Sequence, residues 1–128
     1  MATVLVVDDH PVNRDLLVTL LGYRGHTVLE ACDGAEALRI VQMRRLDLVI
    51  TDLVMPNMSG RELTEQIRRV APQTRVLWCS GYVRSSNSEE MERFLQKPFT
   101  SQDLLRKVKQ VLTETTPDTA MLRRQKLD

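Results

Sequence analysis

The sequence has few aromatic residues, few cysteines and no long hydrophobic run. Aromatic residues make up 4% of the 128 residues, so a packed core must be built from aliphatic side chains. No apolar run approaches the ~20 residues that span a bilayer. Asp8 and Asp9 interrupt the one apolar run near the N-terminus, which argues against a signal peptide. We therefore expect a cytoplasmic protein that makes no membrane contact.

Neither sign of charge predominates, and cysteine is scarce. The 18 basic and 17 acidic residues give a net charge of +1, without the basic patch typical of nucleic-acid binding. We expect no nucleic-acid partner. Cys32 and Cys79 are far apart and lack metal-ligand spacing. Two reduced, buried thiols are the favoured interpretation, and a disulfide between them is the alternative.

Short apolar runs alternate with segments of helical periodicity. The predicted strands are residues 4–7, 26–30, 48–51, 76–79 and 94–96. Continuously apolar runs are typical of strands buried on both faces of a parallel sheet. The alternation predicts an α/β fold, a doubly wound five-stranded parallel sheet with helices on both faces. Residues 1–114 are assigned to this domain and 115–128 to a C-terminal extension or linker.

Pairs of polar residues spaced three apart predict where helices begin. The pairs are Asp33 with Glu36, Ser59 with Glu62, and Thr100 with Asp103. Apolar residues at helical spacing then predict the buried faces. Those expected for the first helix are Val12, Leu16, Leu17, Leu20 and Leu21, and those for the third are Leu63, Ile67 and Val70.

Polar residues fall where the predicted strands end. They are Asp8, Asp9, Asp52, Ser80 and Lys97. In an open α/β sheet, ligands bind at the carboxyl ends of the strands. This topology would therefore gather three carboxylates, a hydroxyl and an ammonium in one crevice.

The crevice would need a cation, because clustered carboxylates repel one another by on the order of 1–4 kcal/mol per close pair. Carboxylate oxygens with open coordination positions suit Mg²⁺. With Lys97 nearby, such a site suits an anion with several oxygens, such as a phosphoryl group. Attack by Asp52 on phosphorus would form an acyl phosphate, and Ser80 would donate a hydrogen bond to the phosphoryl oxygens.

Several motifs, taken together, resemble a known family. The motifs are Val6-Val7-Asp8-Asp9, Thr51 to Pro56 with Ser59-Gly60, Ser80-Gly81-Tyr82, and Phe94 to Phe99. In this order they resemble the receiver domain of two-component response regulators, over about residues 2 to 113. The last block, with Leu104 to Lys107, is similar to receivers at the C-terminus of hybrid sensor histidine kinases. The resemblance implies a flavodoxin-like sheet of strand order 2-1-3-4-5 and, as partner, a sensor histidine kinase or its phosphotransfer domain.

The resemblance also implies roles for the residues that bind metal and phosphate. Asp52 would be the phosphoacceptor. Asp9 and Asp52 would bind Mg²⁺ directly with the backbone carbonyl of Val54, while Asp8 would act mostly through water. Lys97 would pair with the phosphoryl oxygens.

Further roles concern switching and the lifetime of the phosphorylated form. Ser80 would be the switch hydroxyl, and Phe94 would be the aromatic residue that repacks inward when Ser80 moves. The Lys97–Pro98 bond would be cis. Val54 and Tyr82 occupy the positions that tune the lifetime of the acyl phosphate, and an apolar Val54 predicts slow self-dephosphorylation.

Two other functions compete with a phosphoacceptor switch. A Mg²⁺-dependent phosphohydrolase with an Asp nucleophile usually has a second acid two residues later, where this chain has Val54. We also expect no cap domain that would enclose a substrate, so an enzyme with turnover is disfavoured. A pseudo-receiver without chemistry is disfavoured by the complete acidic set and Lys97.

The sequence departs from the receiver pattern between Ser80 and Lys97, where the chain is shorter than expected by about one helical turn or more. A crossover needs at least ~10–12 residues. We therefore predict a stunted, mobile helix before Phe94. Receivers usually signal and dimerise through this region, so output there is in doubt, and a weak homodimer is left open.

Overall fold

The computed structural model describes residues 2–80 and 94–113. The elements in this part are β1 (Thr3–Val7), α1 (Pro11–Tyr23), β2 (Thr27–Ala31), α2 (Gly34–Met43), β3 (Leu48–Asp52), α3 (Gly60–Val70), β4 (Arg75–Ser80), β5 (Phe94–Gln96) and α4 (Ser101–Thr113). The predicted strands are present, with bounds that differ by one residue at most. The predicted stunted helix and the extension at 115–128 lie outside the described residues.

The five strands form one parallel sheet in the order β2-β1-β3-β4-β5, which confirms the predicted fold class. The strand register places the last residues of neighbouring strands side by side. Val7 pairs with Thr51, and Asp52 pairs with Cys79. The carboxyl ends of the central strands therefore meet at one edge, as the sequence predicted.

The core lies on both faces of the sheet. Successive residues of a strand point to opposite faces, so Leu5 and Val7 join one apolar cluster while Val4 and Val6 join the other. Helices α2 and α3 cover the first face with residues that include Ala37, Val41, Leu63 and Ile67. Helices α1 and α4 cover the second face with residues that include Leu17, Leu21, Leu104 and Val108.

The predicted helix caps are present. Asp33 Oδ1 accepts the Glu36 N–H at 2.8 Å, and Ser59 Oγ accepts the Glu62 N–H at 3.2 Å. At the start of α4, Thr100 Oγ1 accepts the Asp103 N–H at 3.0 Å and Asp103 Oδ2 accepts the Thr100 N–H at 3.1 Å. These bonds satisfy amides that have no partner within the helix.

Four residues predicted to be buried are exposed. On α1, Val12 is 80% exposed and Leu16 is 56% exposed, because Leu17 and Leu21 are the residues that face the sheet. Val70, the last residue of α3, is 48% exposed. Cys32 follows the end of β2 and is exposed, whereas Cys79 in β4 is buried, and both thiols are free. No helix in the described part of the chain is long and apolar enough to cross a membrane.

Candidate functional site

Backbone hydrogen bonds hold the strand ends at the carboxyl edge of the sheet in place. The Leu53 N–H, just after β3, donates to the Cys79 carbonyl at 3.3 Å, and the Lys97 N–H donates to the Ser80 carbonyl at 2.8 Å. The Asp8 N–H donates to the Ala31 carbonyl at 3.1 Å. The residues that follow each strand are therefore positioned by the sheet ladder itself.

The structure brings the three predicted carboxylates together. One ligand atom from each of Asp8, Asp9, Asp52 and His10 lies within 4.8 Å of the others. His10, which was not among the predicted site residues, places Nδ1 3.4 Å from Asp8 Oδ1 and 3.2 Å from Asp9 Oδ1. Its position next to the acidic pair was the only signal for this contact.

Lys97 is the cation that faces this cluster. Its Nζ lies 3.5 Å from Asp52 Oδ2 and 4.0 Å from Asp8 Oδ2. The Lys97–Pro98 peptide bond is cis. Among residues 2–80 and 94–113, one ammonium is set against three carboxylates, so these groups retain an excess of negative charge when all three acids are ionised.

The environment of Asp52 disfavours its charged form. Partial burial raises the pKa of the Asp52 carboxyl above its ordinary value of 3.8, Lys97 opposes that rise, and the nearby Asp8 adds to it. A cation beside Asp52 would act in the same direction as Lys97 and favour the ionised, nucleophilic form.

The residues present fit a divalent metal ion. Asp8 is 2% exposed, and its Oδ1 already accepts the His10 N–H at 2.8 Å. Asp9 Oδ1 is buried and accepts no hydrogen bond from the residues that the structure describes, although His10 Nδ1 is near. An anionic oxygen that is buried without a donor is costly. A cation among Asp9 and Asp52 would remove that cost, and oxygen ligands of this kind suit Mg²⁺.

Three other predicted site residues, Ser80, Val54 and Phe94, lie in the described part of the chain. Ser80 ends β4 and is 5% exposed, while the side chain of Val54 is 76% exposed beside the acceptor strand. Phe94 is buried and packs edge-on against Trp78, with ring centroids 6.2 Å apart. Tyr82 lies outside the described residues.

Gly60 is a site residue whose importance the sequence did not show. Its N–H donates to the Leu53 carbonyl at 2.8 Å, so the first residue of α3 is bonded to the chain that leaves β3. A Cβ at this position would lie 2.5 Å from the Asp52 carbonyl oxygen, which leaves no room for a side chain. In the sequence, Gly60 stands directly after the Ser59 cap and belongs to the Ser59-Gly60 motif of the resemblance, which assigned this glycine no role.

Known proteins share this sequence pattern and fold. The family described as Response regulator receiver domain matches residues 4–109. The sensor histidine kinase RcsC of Escherichia coli K12 is 39% identical over 98 residues, which are 77% of this chain and 10% of that protein.

Solved structures of similar sequence share the fold of this chain. CheY4 of Vibrio cholerae, a chemotaxis protein, superposes with a TM-score of 0.79 at 32% identity and covers 87% of this chain and 98% of that one. The receiver domain of the hybrid histidine kinase CckA gives a TM-score of 0.75 at 35% identity, with 87% and 99% covered. The chain spans about a tenth of the length of the curated sensor kinases that it matches.

Proposed function

This chain belongs to the response regulator receiver domain family of two-component signalling, and on that premise we propose that Asp52 accepts a phosphoryl group from a phosphohistidine. The donor would be a sensor histidine kinase or its phosphotransfer domain. One observation carries the proposal: Asp52 lies 3.5 Å from Lys97 Nζ and close to the acidic pair Asp8-Asp9 at the carboxyl edge of the sheet.

In the proposed reaction, the bond between phosphorus and the donor imidazole nitrogen breaks as a bond to an Asp52 oxygen forms. The imidazole leaves and takes up a proton. The ammonium of Lys97 stabilises negative charge on the phosphoryl oxygens, and the Ser80 hydroxyl donates to one of them. The bond from the Lys97 N–H to the Ser80 carbonyl positions the backbone of Lys97 before the donor arrives, so little ordering of this residue is needed during transfer.

Mg²⁺ is the proposed cofactor. Asp9, Asp52 and the backbone carbonyl of Val54 would hold it directly, and Asp8 through water. The hydrogen bond from the His10 N–H to Asp8 Oδ1 and the unpartnered Asp9 Oδ1 support this division of roles. The ion would offset the repulsion between an anionic donor and the carboxylates.

Phosphorylation would change the structure through Ser80 and Phe94. Ser80 is followed by the chain that leads to β5, and its carbonyl is bonded to Lys97, so a shift of Ser80 toward a phosphoryl group would move β5. Phe94 already has a buried site beside Trp78. We infer that the phosphorylated form favours this inward position of Phe94.

The chain would act as a switch rather than as an enzyme with turnover. Val54 is exposed beside Asp52 and has no group that can orient a hydrolytic water. Val54 and Tyr82 would therefore tune a slow self-dephosphorylation. A phosphorylated form that decays within seconds would contradict this part of the proposal.

The surface beside the site supports a protein donor. A cleft next to Asp8 and Lys97 is lined by Leu16, Pro98 and Phe99, and Val12 is exposed on the same helix as Leu16. Exposed apolar groups around a charged site are typical of protein–protein contact. Because the donor imidazole must reach Asp52, we assign this patch to the helix that bears the phosphohistidine.

The phosphoacceptor is tested with a small phosphoryl donor and Mg²⁺, followed by intact mass measurement. The wild-type protein should gain one labile phosphoryl group. Asp52→Asn should gain none, while the exposed carboxylate variant Asp15→Asn should behave as the wild type. Phosphoryl gain by Asp52→Asn would contradict the assignment.

The docking patch is tested with Leu16→Asp. Transfer from a phosphorylated histidine phosphotransfer domain should slow by about tenfold, which corresponds to about 1.4 kcal/mol of lost contact. Phosphorylation by the small donor should be unchanged, because that reaction needs no docking. Equal slowing of both reactions would indicate damage to the site instead.

A further inference from the structure

We propose that Thr64 and Trp78 are positioning residues that couple Phe94 to the backbone of the acceptor loop, by a route that does not involve Ser80. This inference rests on the proposed function, because it assigns Asp52 as the acceptor and Phe94 as the switch. The route runs from β5 through β4 and α3 to the end of β3.

The first link is the hydroxyl of Thr64 in α3. Thr64 is 3% exposed, and its hydroxyl accepts the Trp78 Nε1–H at 2.8 Å and lies 2.7 Å from the Gly60 carbonyl oxygen. An indole nitrogen can only donate, so the single threonine proton is left for the Gly60 carbonyl. The hydrogen bonds therefore run in one direction, from indole to hydroxyl to carbonyl.

The second link is the contact between Gly60 and the acceptor loop. The Gly60 N–H donates to the Leu53 carbonyl at 2.8 Å, and the space where a Cβ would stand is filled by the Asp52 carbonyl. A displacement of the first turn of α3 must therefore also displace the backbone of Asp52 and Leu53. This is the backbone that leads to Val54, whose carbonyl is a proposed metal ligand.

The third link joins Trp78 to Phe94. The two residues are paired in the β4–β5 register, and their rings meet edge-on at 71° with centroids 6.2 Å apart. Trp78 is also paired with Thr51, next to Asp52 in β3. The Arg61 guanidinium lies 5.3 Å from the centroid of the indole ring. Helix α3 thus holds the indole at two points, and the departure of the Phe94 ring would remove an edge contact.

A purely structural role must be separated from this coupling. A buried indole N–H needs an acceptor, so Thr64→Val would lower stability whether or not the contact matters for switching. A measurement of stability alone therefore cannot distinguish a structural role of Thr64 from a coupling role. The decisive readouts are the phosphorylation rate and the response of Trp78 fluorescence, both measured where each variant is fully folded. Trp78 is the single tryptophan of the chain, so the emission reports on this position alone.

The experiment compares the wild type with Thr64→Ser, which keeps the hydroxyl, and Thr64→Val, which keeps the shape. Each protein receives Mg²⁺ and then beryllium trifluoride as an acyl-phosphate mimic, and Trp78 emission is recorded. Phosphorylation by acetyl phosphate is timed in parallel by intact mass. The wild type and Thr64→Ser should show the same emission change. Thr64→Val should lose that change and accept phosphate about two- to tenfold more slowly, the range expected for one net hydrogen bond.

A double-variant cycle adds a second criterion. If Thr64 and Trp78 act as one unit, Trp78→Phe combined with Thr64→Val should slow phosphorylation no more than either change alone. Multiplied effects, or wild-type rates and emission response in Thr64→Val, would overturn the coupling. A wild type that gains a phosphoryl group with unchanged Trp78 emission would also overturn it, while the proposed function would stand. A wild type that gains none would overturn the proposed function itself.

Discussion

Ionised Asp52 lies in an environment that lowers the stability of the metal-free fold. Its carboxylate is partly buried and lies near Asp8, and Lys97 compensates only in part, so its pKa is raised. A raised pKa means that the folded protein binds this proton more tightly than the unfolded chain does. The cost of ionising Asp52 is then present at neutral pH and disappears as the pH falls below the ordinary value of 3.8.

Asp52→Asn should therefore stabilise the metal-free protein at neutral pH. The expected gain in unfolding free energy is on the order of 1 kcal/mol, the scale of one close like-charge pair screened by water, because Asp52 is only partly buried. It should shrink as the pH approaches 3.8. Urea denaturation in the presence of a chelator measures it, with Asp15→Asn as the matched carboxylate control. A metal-free Asp52→Asn protein less stable than the wild type would show that the Lys97 ion pair outweighs burial.

The two thiols differ in environment and should differ in reactivity. Burial raises the pKa of Cys79 to about 12. Cys32 is exposed, and a hydrogen bond from its Sγ to Glu36 Oε2, 3.0 Å away, raises its pKa by favouring the thiol. The thiolate is the reactive form. In the native protein, both residues should be poor nucleophiles at neutral pH, Cys79 by far the poorer.

Alkylation with iodoacetamide followed by peptide mapping checks this. Native protein should be labelled at Cys32 alone, faster as the pH rises, and Cys79 should be labelled only after denaturation. Glu36→Gln should speed labelling of Cys32 at a given pH, because the charge that disfavours the thiolate is removed. Native labelling of Cys79 would mean that β4 opens more readily than its burial suggests.

At the scale of elements, the site depends on how closely α3 approaches the end of β3. A Cβ at Gly60 would stand 2.5 Å from the Asp52 carbonyl and 3.0 Å from Leu53 Cα, and both are backbone atoms that cannot rotate away. Gly22 in α1 offers a matched contrast, because a Cβ there would meet nothing within 4 Å. Substitution of Gly60 by alanine therefore tests packing, and the same substitution at Gly22 tests helix propensity.

Gly60→Ala should lower the unfolding free energy by about 1–3 kcal/mol, as other overpacked sites do, and slow phosphorylation. Gly22→Ala should raise it by about 0.5–1 kcal/mol, since alanine loses less backbone entropy in a helix. Urea denaturation and phosphorylation by a small donor measure both variants. Equal effects of the two substitutions would contradict the close approach of α3 to β3.

For the whole molecule, the topology and the acidic cluster could be predicted because both depend on local features. Apolar runs and caps such as Asp33 with Glu36 locate the elements, and parallel pairing brings the strand ends together. The burial of individual side chains could not be predicted from local features. Periodicity assigns Leu16 to a helical face, but only packing shows that Leu17 is covered and Leu16 is not.

Contacts between elements that are distant in the chain could not be predicted from the sequence either. The Trp78–Thr64 hydrogen bond joins residues 14 apart, on β4 and α3. It depends on the distance between a strand and the helix above it, which no local pattern encodes. The close contact at Gly60 has the same origin. Roles such as that of Ser80 rest on the family resemblance and stay predictions.

Metal binding should stabilise the whole domain, because the folded state alone assembles the acidic site. A ligand that binds only the folded state adds RT ln(1 + [L]/Kd), about 1.4 kcal/mol at ten times Kd. The wild-type Tm should therefore rise by a few degrees with Mg²⁺. Asp9→Asn should lose most of this rise, since Asp9 Oδ1 is the buried oxygen without a hydrogen-bond donor. Sodium chloride at matched ionic strength controls for screening, and an equal rise with sodium, or in Asp9→Asn, would contradict a metal site at these carboxylates.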